Sequence, residues 1–126
     1  MCILGIGVDV VHVPRIAALL RRYPQRLASR ILTPQESAQS HSLIDPTFIA
    51  VRWAVKEAAY KALYPHHRPT WKDLTYKGLE NGSKPTLLYH PPSDVPVNLG
   101  DIHISVSHDG EYVFASVLVQ AGRERP

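Results

Sequence analysis

The 126 residues, 44% hydrophobic and 20% charged, have the make-up of one soluble globular domain, and no apolar run reaches the roughly 20 residues a membrane-crossing helix needs. The single cysteine, Cys2, excludes an internal disulfide framework and fits a reducing compartment rather than secretion. The net charge of +3 is modest but unevenly placed: between Asp9 and Glu36 stand Arg15, Arg21, Arg22, Arg26 and Arg30 with no acid, a block that suits an acidic partner.

Such an arginine-rich, acid-poor N-terminal stretch also resembles a mitochondrial transit peptide. The motif around Asp9 begins almost at the first residue, so a cleaved leader is not expected; cytoplasm and mitochondrial matrix both stay open.

In chain order, residues 2–11 are rich in β-branched side chains and predict a strand. Pro14 suits a first helical position, and Ile16, Leu19, Leu20 and Tyr23 give the apolar stripe of a basic amphipathic helix. Thr33-Pro34-Gln35-Glu36 reads as a capping box that opens a short helix. Asp45-Pro46 starts a long alanine-rich helix, which Pro65 ends. Beyond Trp71 the pattern changes to strands over 74–79, 86–90, 101–107 and 112–119, separated by Asn81-Gly82, a loop over 91–100 and Asp109-Gly110. This order predicts an α+β fold, an antiparallel sheet packed with the long helix, in a single domain over 1–122 with a frayed tail at 123–126.

The long helix carries Trp53, Glu57 and Lys61 at i, i+4 and i+8, hence on one face. A surface ion pair of about 0.3–0.5 kcal/mol is the plain reading of Glu57 and Lys61. Asp9 sits among valines, where a carboxylate is costly unless it faces solvent at a sheet edge or has a partner. Gly5 and Gly7 do not make a dinucleotide fingerprint, because Val10 stands where the third glycine is required. Ser105-Val106-Ser107-His108-Asp109 has the letters of a hydrolase triad, but consecutive residues point apart and cannot form that relay. It is either a polar hairpin or a strand end that presents donors to an anion. His12, His41, His66, His67, His90 and His103 show no zinc-ligand spacing. Two isolated carboxylates, Asp9 and Glu57, suit Mg²⁺, which takes its other ligands from phosphate and water. Lys61, Lys56, Arg52 and His108 would bring positive charge to those phosphates, a composition suited to phosphoryl transfer.

Gly5-x-Gly7-x-Asp9 followed by Arg15-Ile16, the run from Arg52 to Ala58 with Lys61-Ala62, and Ser105-x-Ser107-His108-Asp109 resemble, in this order, the small holo-acyl-carrier-protein synthases of the 4′-phosphopantetheinyl transferase superfamily. The likeness runs from about residue 3 to 120, and the stretch from Trp53 to Asp73 looks more like the small fungal members than the bacterial ones. The resemblance implies transfer of 4′-phosphopantetheine from coenzyme A to a serine of apo acyl carrier protein, with adenosine 3′,5′-bisphosphate released. It implies Asp9 and Glu57 as Mg²⁺ ligands and Lys61 beside the reacting phosphate, as base or as charge stabiliser. Arg52, Lys56, Lys84, Ser107 and His108 would bind coenzyme A, and Arg15, Arg21 and Arg22 would meet the acidic carrier protein. Members of this size form homotrimers with active sites between subunits, so a trimer is expected, with neither nucleic acid nor membrane as partner. Two departures stand out: Leu63-Tyr64-Pro65-His66-His67-Arg68-Pro69 replaces a glycine-bearing loop, and Gly82-Ser83-Lys84-Pro85 is one residue longer than the usual turn, which predicts a shifted hairpin. A catalytically silent carrier-binding subunit, or a basic nucleic-acid module indifferent to coenzyme A, are the alternative functions.

Overall fold

The β-branched N-terminal run forms β1 (Ile3–His12), and Pro14 lies in the first turn of α1 (Val13–Arg22). A computed structural model of the chain describes residues 2–38, 45–78, 82–94 and 96–123. There follow α2 (Pro24–Ile31), α3 (Pro34–Ser37), α4 (Pro46–Leu63), a 3-10 helix (Trp71–Asp73), β2 (Leu74–Lys77), β3 (Thr86–Tyr89), β4 (Leu99–Asp109) and β5 (Tyr112–Ala121). The α+β class is as expected.

The helix signals act where the residues place them. Thr33 and Glu36 close a reciprocal capping box at α3, and the Asp45 side chain accepts from the Thr47 N–H at the start of α4. Along the arginine block the expectation of one helix through Tyr23 is corrected. The chain breaks at Tyr23 (φ −135°, ψ 63°), because Pro24 has no N–H to donate back to Leu20 and instead opens α2. Tyr23 therefore leaves the apolar stripe and is exposed.

The strands after Trp71 do not form one meander. β1, β5 and β4 make an antiparallel sheet in the order β1-β5-β4, and β2 pairs with β3 in a separate two-stranded sheet. β4 starts at Leu99, two residues before the expected 101, and its register shifts between Leu99 and Ile102. The β4–β5 hairpin closes through Gly110, whose φ of +57° is open to glycine at no steric cost. Residues 79 and 81 of the expected strand and turn, and 124–126 of the tail, lie outside the described residues.

Alternation gives the larger sheet two unlike faces. One carries Gly5, Gly7, Asp9 and Val11 of β1, cross-strand from Val119, Val117, Ala115 and Val113. Against this face lies α4, apolar nearly all round and buried as such a helix must be. The glycines are there for closeness: a Cβ at Gly5 would collide with the Ala62 carbonyl oxygen, and one at Gly7 with that of Ala58. The other face carries Ile6, Val8 and Val10, 65%, 56% and 52% exposed, with Phe114 and Tyr112 beside them. Among the described residues no helix is long and apolar enough to cross a membrane.

Candidate active site

Because the helix packs so tightly on β1, its polar edge reaches the strand's one carboxylate. Asp9 Oδ1 lies 3.5 Å from Lys61 Nζ, which also donates to the Val8 carbonyl at 2.9 Å. Lys61 is half exposed, whereas the Asp9 side chain is only 17% exposed, on the covered face of the edge strand β1. Glu57 stands one turn earlier on α4, partly buried. Burial raises the Asp9 pKa above its ordinary value, against the opposing pull of Lys61, of Arg15 and of the Val10 backbone. Burial also raises that of Glu57, and the nearby negative charge of Asp9 adds to it, against Lys61. Asp9, Glu57 and Lys61 are thus brought together, with two carboxylates close enough to repel.

That pair fits a hard divalent cation. It offers carboxylate oxygens only, and among the described residues no cluster of three or more His, Cys, Asp or Glu forms a fuller ligand set. Mg²⁺ bound by one or two carboxylates draws its remaining ligands from phosphate and water.

Beside Glu57 and Lys56 opens a cavity of about 340 Å³, walled further by Tyr60, Pro69, Thr70, Trp71 and Leu74. None of these five was expected from the sequence as a site residue. One local signal was present: Thr70 and Asp73 form a second capping box, the Thr70 N–H donating to Asp73 Oδ2 at 2.9 Å, which orders the wall. In the loop that replaces the glycines, Tyr64 stacks on Tyr60 at 5.8 Å and Arg68 lies 5.3 Å from the Tyr64 ring.

Arg15 lies 5.5 Å from the Trp53 ring, and Trp53 in turn lies 5.3 Å from Trp71. Arg15, expected to meet the carrier protein, is therefore also near Asp9, on which its charge acts. Arg21 and Arg22 are exposed at the end of α1. On α2, Arg26 and Arg30 with Tyr23, Leu27 and Ser29 line a second groove of about 470 Å³ that continues the basic surface.

Lys56, expected to serve a phosphate, borders the cavity beside Glu57. Its side chain is 1% exposed, and Nζ donates to Glu36 Oε1 at 2.6 Å, to the Ile31 carbonyl at 2.7 Å and to the Trp71 carbonyl at 3.0 Å. An ammonium has three protons, and all three are engaged inside the protein. Arg52 is also turned inward, its guanidinium 3.6 Å from the Phe48 ring centre and 4.8 Å from that of Tyr76, with Nε 4.0 Å from Glu36 Oε2. Burial lowers its pKa, against the attraction of Glu36. His108 and Ser107 end β4, two strands and so about 10 Å across the sheet from β1. Ser107 pairs with Phe114 and belongs to the outer face, away from α4, while His108 pairs with Val113 on the helix side. Lys84 is exposed just before β3. A single chain does not bring Ser107, His108 and Lys84 to the Asp9–Glu57–Lys61 cluster.

Residues 5–117 match the family model of the 4′-phosphopantetheinyl transferase superfamily. This chain belongs to that superfamily. The matched span takes in Asp9, Glu57, Lys61 and His108. Among curated relatives, the holo-[acyl-carrier-protein] synthase of Koribacter versatilis is 40% identical, over 94% of this chain and 98% of its own. The crystal structure of the Neisseria meningitidis synthase superposes with a TM-score of 0.78 at 29% identity, covering 94% of this chain and 98% of that one. The Bacillus anthracis synthase, solved in complex with coenzyme A (3′,5′-ADP), superposes with a TM-score of 0.71 at 26% identity, covering 97% and 100%.

Proposed function

We propose that this chain is a holo-acyl-carrier-protein synthase, a 4′-phosphopantetheinyl transferase that uses coenzyme A as its donor and apo acyl carrier protein as its acceptor. The observation that carries the reading is the convergence of Asp9, Glu57 and Lys61 beside a cavity, in a chain 40% identical over its length to a synthase of that name.

In the transfer, the hydroxyl oxygen of the carrier serine forms a bond to the phosphorus next to pantetheine. The pyrophosphate P–O bond breaks, adenosine 3′,5′-bisphosphate leaves with that oxygen, and the serine proton passes to water. Asp9 and Glu57 would hold Mg²⁺, which when bound supplies charge neutralisation to the pyrophosphate. Lys61 is held between the Val8 carbonyl and the Asp9 carboxylate, contacts that suit an ammonium, so its part is to neutralise charge moving onto the leaving group rather than to take the serine proton. The arginines of α1, with Arg26 and Arg30 of α2, would seat the acidic carrier protein, and seating aligns the serine.

The assembly we propose is a homotrimer. Ile6, Val8, Val10, Tyr112 and Phe114 form an exposed apolar face of the kind that association covers. Ser107 lies on that same face, so a second copy would bring it and the neighbouring His108 toward an adjoining active site, which one chain does not do.

The test is intact-protein mass spectrometry of apo acyl carrier protein incubated with this chain, coenzyme A and Mg²⁺. A gain of one phosphopantetheine, abolished by EDTA, is the expected result. No gain across several carrier proteins would overturn it.

A further inference from the structure

Lys56 precedes Glu57 in the chain, yet its ammonium is among the most enclosed groups in the molecule. Its three acceptors come from three separate segments: the backbone carbonyl of the last residue of α2, the side-chain carboxylate of α3 and the backbone carbonyl of the first residue of the 3-10 helix. Glu36 extends the junction, since Oε1 also accepts from the Thr33 N–H at 2.9 Å and Oε2 from the Tyr76 N–H of β2 at 3.1 Å. No apolar side chain at this place could hold three carbonyl-type oxygens together; a buried cation can, and loses its partners only at high cost.

The geometry has a specific consequence for the cavity. Lys56, Glu57 and Tyr60 of α4 form one side of it and Pro69, Thr70 and Trp71 the other, and the bond from Lys56 Nζ to the Trp71 carbonyl ties the two sides together. The same ammonium, through the Ile31 carbonyl, fastens α4 to the end of the helix that carries Arg26 and Arg30.

We propose that Lys56 is a positioning residue for the transfer reaction: its ammonium, held by Glu36, Ile31 and Trp71, sets the wall at residues 69–71 against Glu57 and so pre-forms the coenzyme A pocket. This rests on the proposed synthase function, and takes the cavity beside Glu57 as the place where its coenzyme A donor binds. Lys56 borders the cavity, but with all three ammonium protons engaged inside the protein it acts through Trp71 and Glu57.

The test compares the wild type with the double variant Lys56→Met/Glu36→Gln, which removes both charges and keeps both stems, because a lone Lys56→Met would strand the Glu36 carboxylate in the interior. Steady-state kinetics of carrier-protein labelling, run well below the lowered thermal midpoint expected of the variant, should show KM for coenzyme A raised tenfold or more and by a clearly larger factor than KM for the carrier protein. Unchanged KM for coenzyme A, or both KM values rising together, would mean that the cluster only supports the fold and would overturn the proposal. A second measurement needs no variant. Amide hydrogen exchange over residues 69–74 of the free wild-type protein should already be slow and change little when coenzyme A is added; fast exchange that coenzyme A slows would overturn pre-formation. Failure of the wild type to label any carrier protein would instead count against the transferase reading itself.

Discussion

The proposed chemistry turns on two carboxylates and one ammonium whose environments push against one another. A carboxyl whose folded-state pKa is raised binds its proton more tightly folded than unfolded. Its contribution to stability is therefore full below the unfolded value, 4.5 for Glu57, and is lost as pH rises through the higher folded one. Glu57→Gln should accordingly raise the thermal midpoint near pH 7.5, a gain that shrinks as the pH is lowered toward the ordinary carboxylate range. The same change should lower kcat by about 10²–10³, the usual cost of removing one pre-organised electrostatic group. Melting curves with and without Mg²⁺ give a further check: the cation should stabilise the wild type and leave Glu57→Gln nearly unmoved, and equal shifts in both would argue against these ligands. Lys61→Ala should lower kcat by a similar factor while leaving the fold intact, because Lys61 is half exposed and outside the buried core. The residue scale also shows why equal charges had unequal fates. Lys56 and Lys61 are five positions apart on α4, so they leave the helix on different sides, one into the interior and one toward β1.

At the scale of elements, the site depends on how closely α4 approaches β1. That approach needs glycine on the strand facing alanine on the helix: Ala58 and Ala62 are buried where Gly5 and Gly7 leave room. Gly7→Val should cost about 3 kcal/mol or more, since backbone blocks the new side chain and the helix would have to move; chemical denaturation measures it. The basic helices carry a different expectation. Reversing charge at Arg21 and Arg22 together should raise KM for the carrier protein about tenfold, flatten its salt dependence and leave KM for coenzyme A unchanged, because those side chains are exposed and away from the cavity. Local signals served well here. The capping box at Thr33, the Asp45 cap and Pro65 after α4 each act through covalent neighbours and so were readable in order. Pro24 was equally local, and its missing donor is what divided the arginine block into two helices.

For the whole molecule, the exposed outer face of the sheet is the feature that a lone chain leaves unexplained. A charge at its centre, Val8→Asp, should turn the proposed trimer into monomers in analytical ultracentrifugation and remove activity, with secondary structure retained because Val8 points away from the core. A variant that stayed trimeric and active would place the interface elsewhere.

Residue order alone determined the α+β class, the ends of the long helix, the arginine surface and the pairing of Asp9 with Glu57 and Lys61 as candidate chemistry. Those follow from hydrophobic period, turn residues and three motifs, all readable one segment at a time. The tertiary structure decided which charges face solvent. Lys56 and Arg52 look no different from Lys61 in a string of letters, and only the arrival of Glu36, Ile31, Trp71 and Tyr76 from distant segments turned them inward. It likewise separated the strands into two sheets and made the cavity wall from 69–71, because burial and strand pairing depend on which segments meet in space rather than on what is adjacent along the chain.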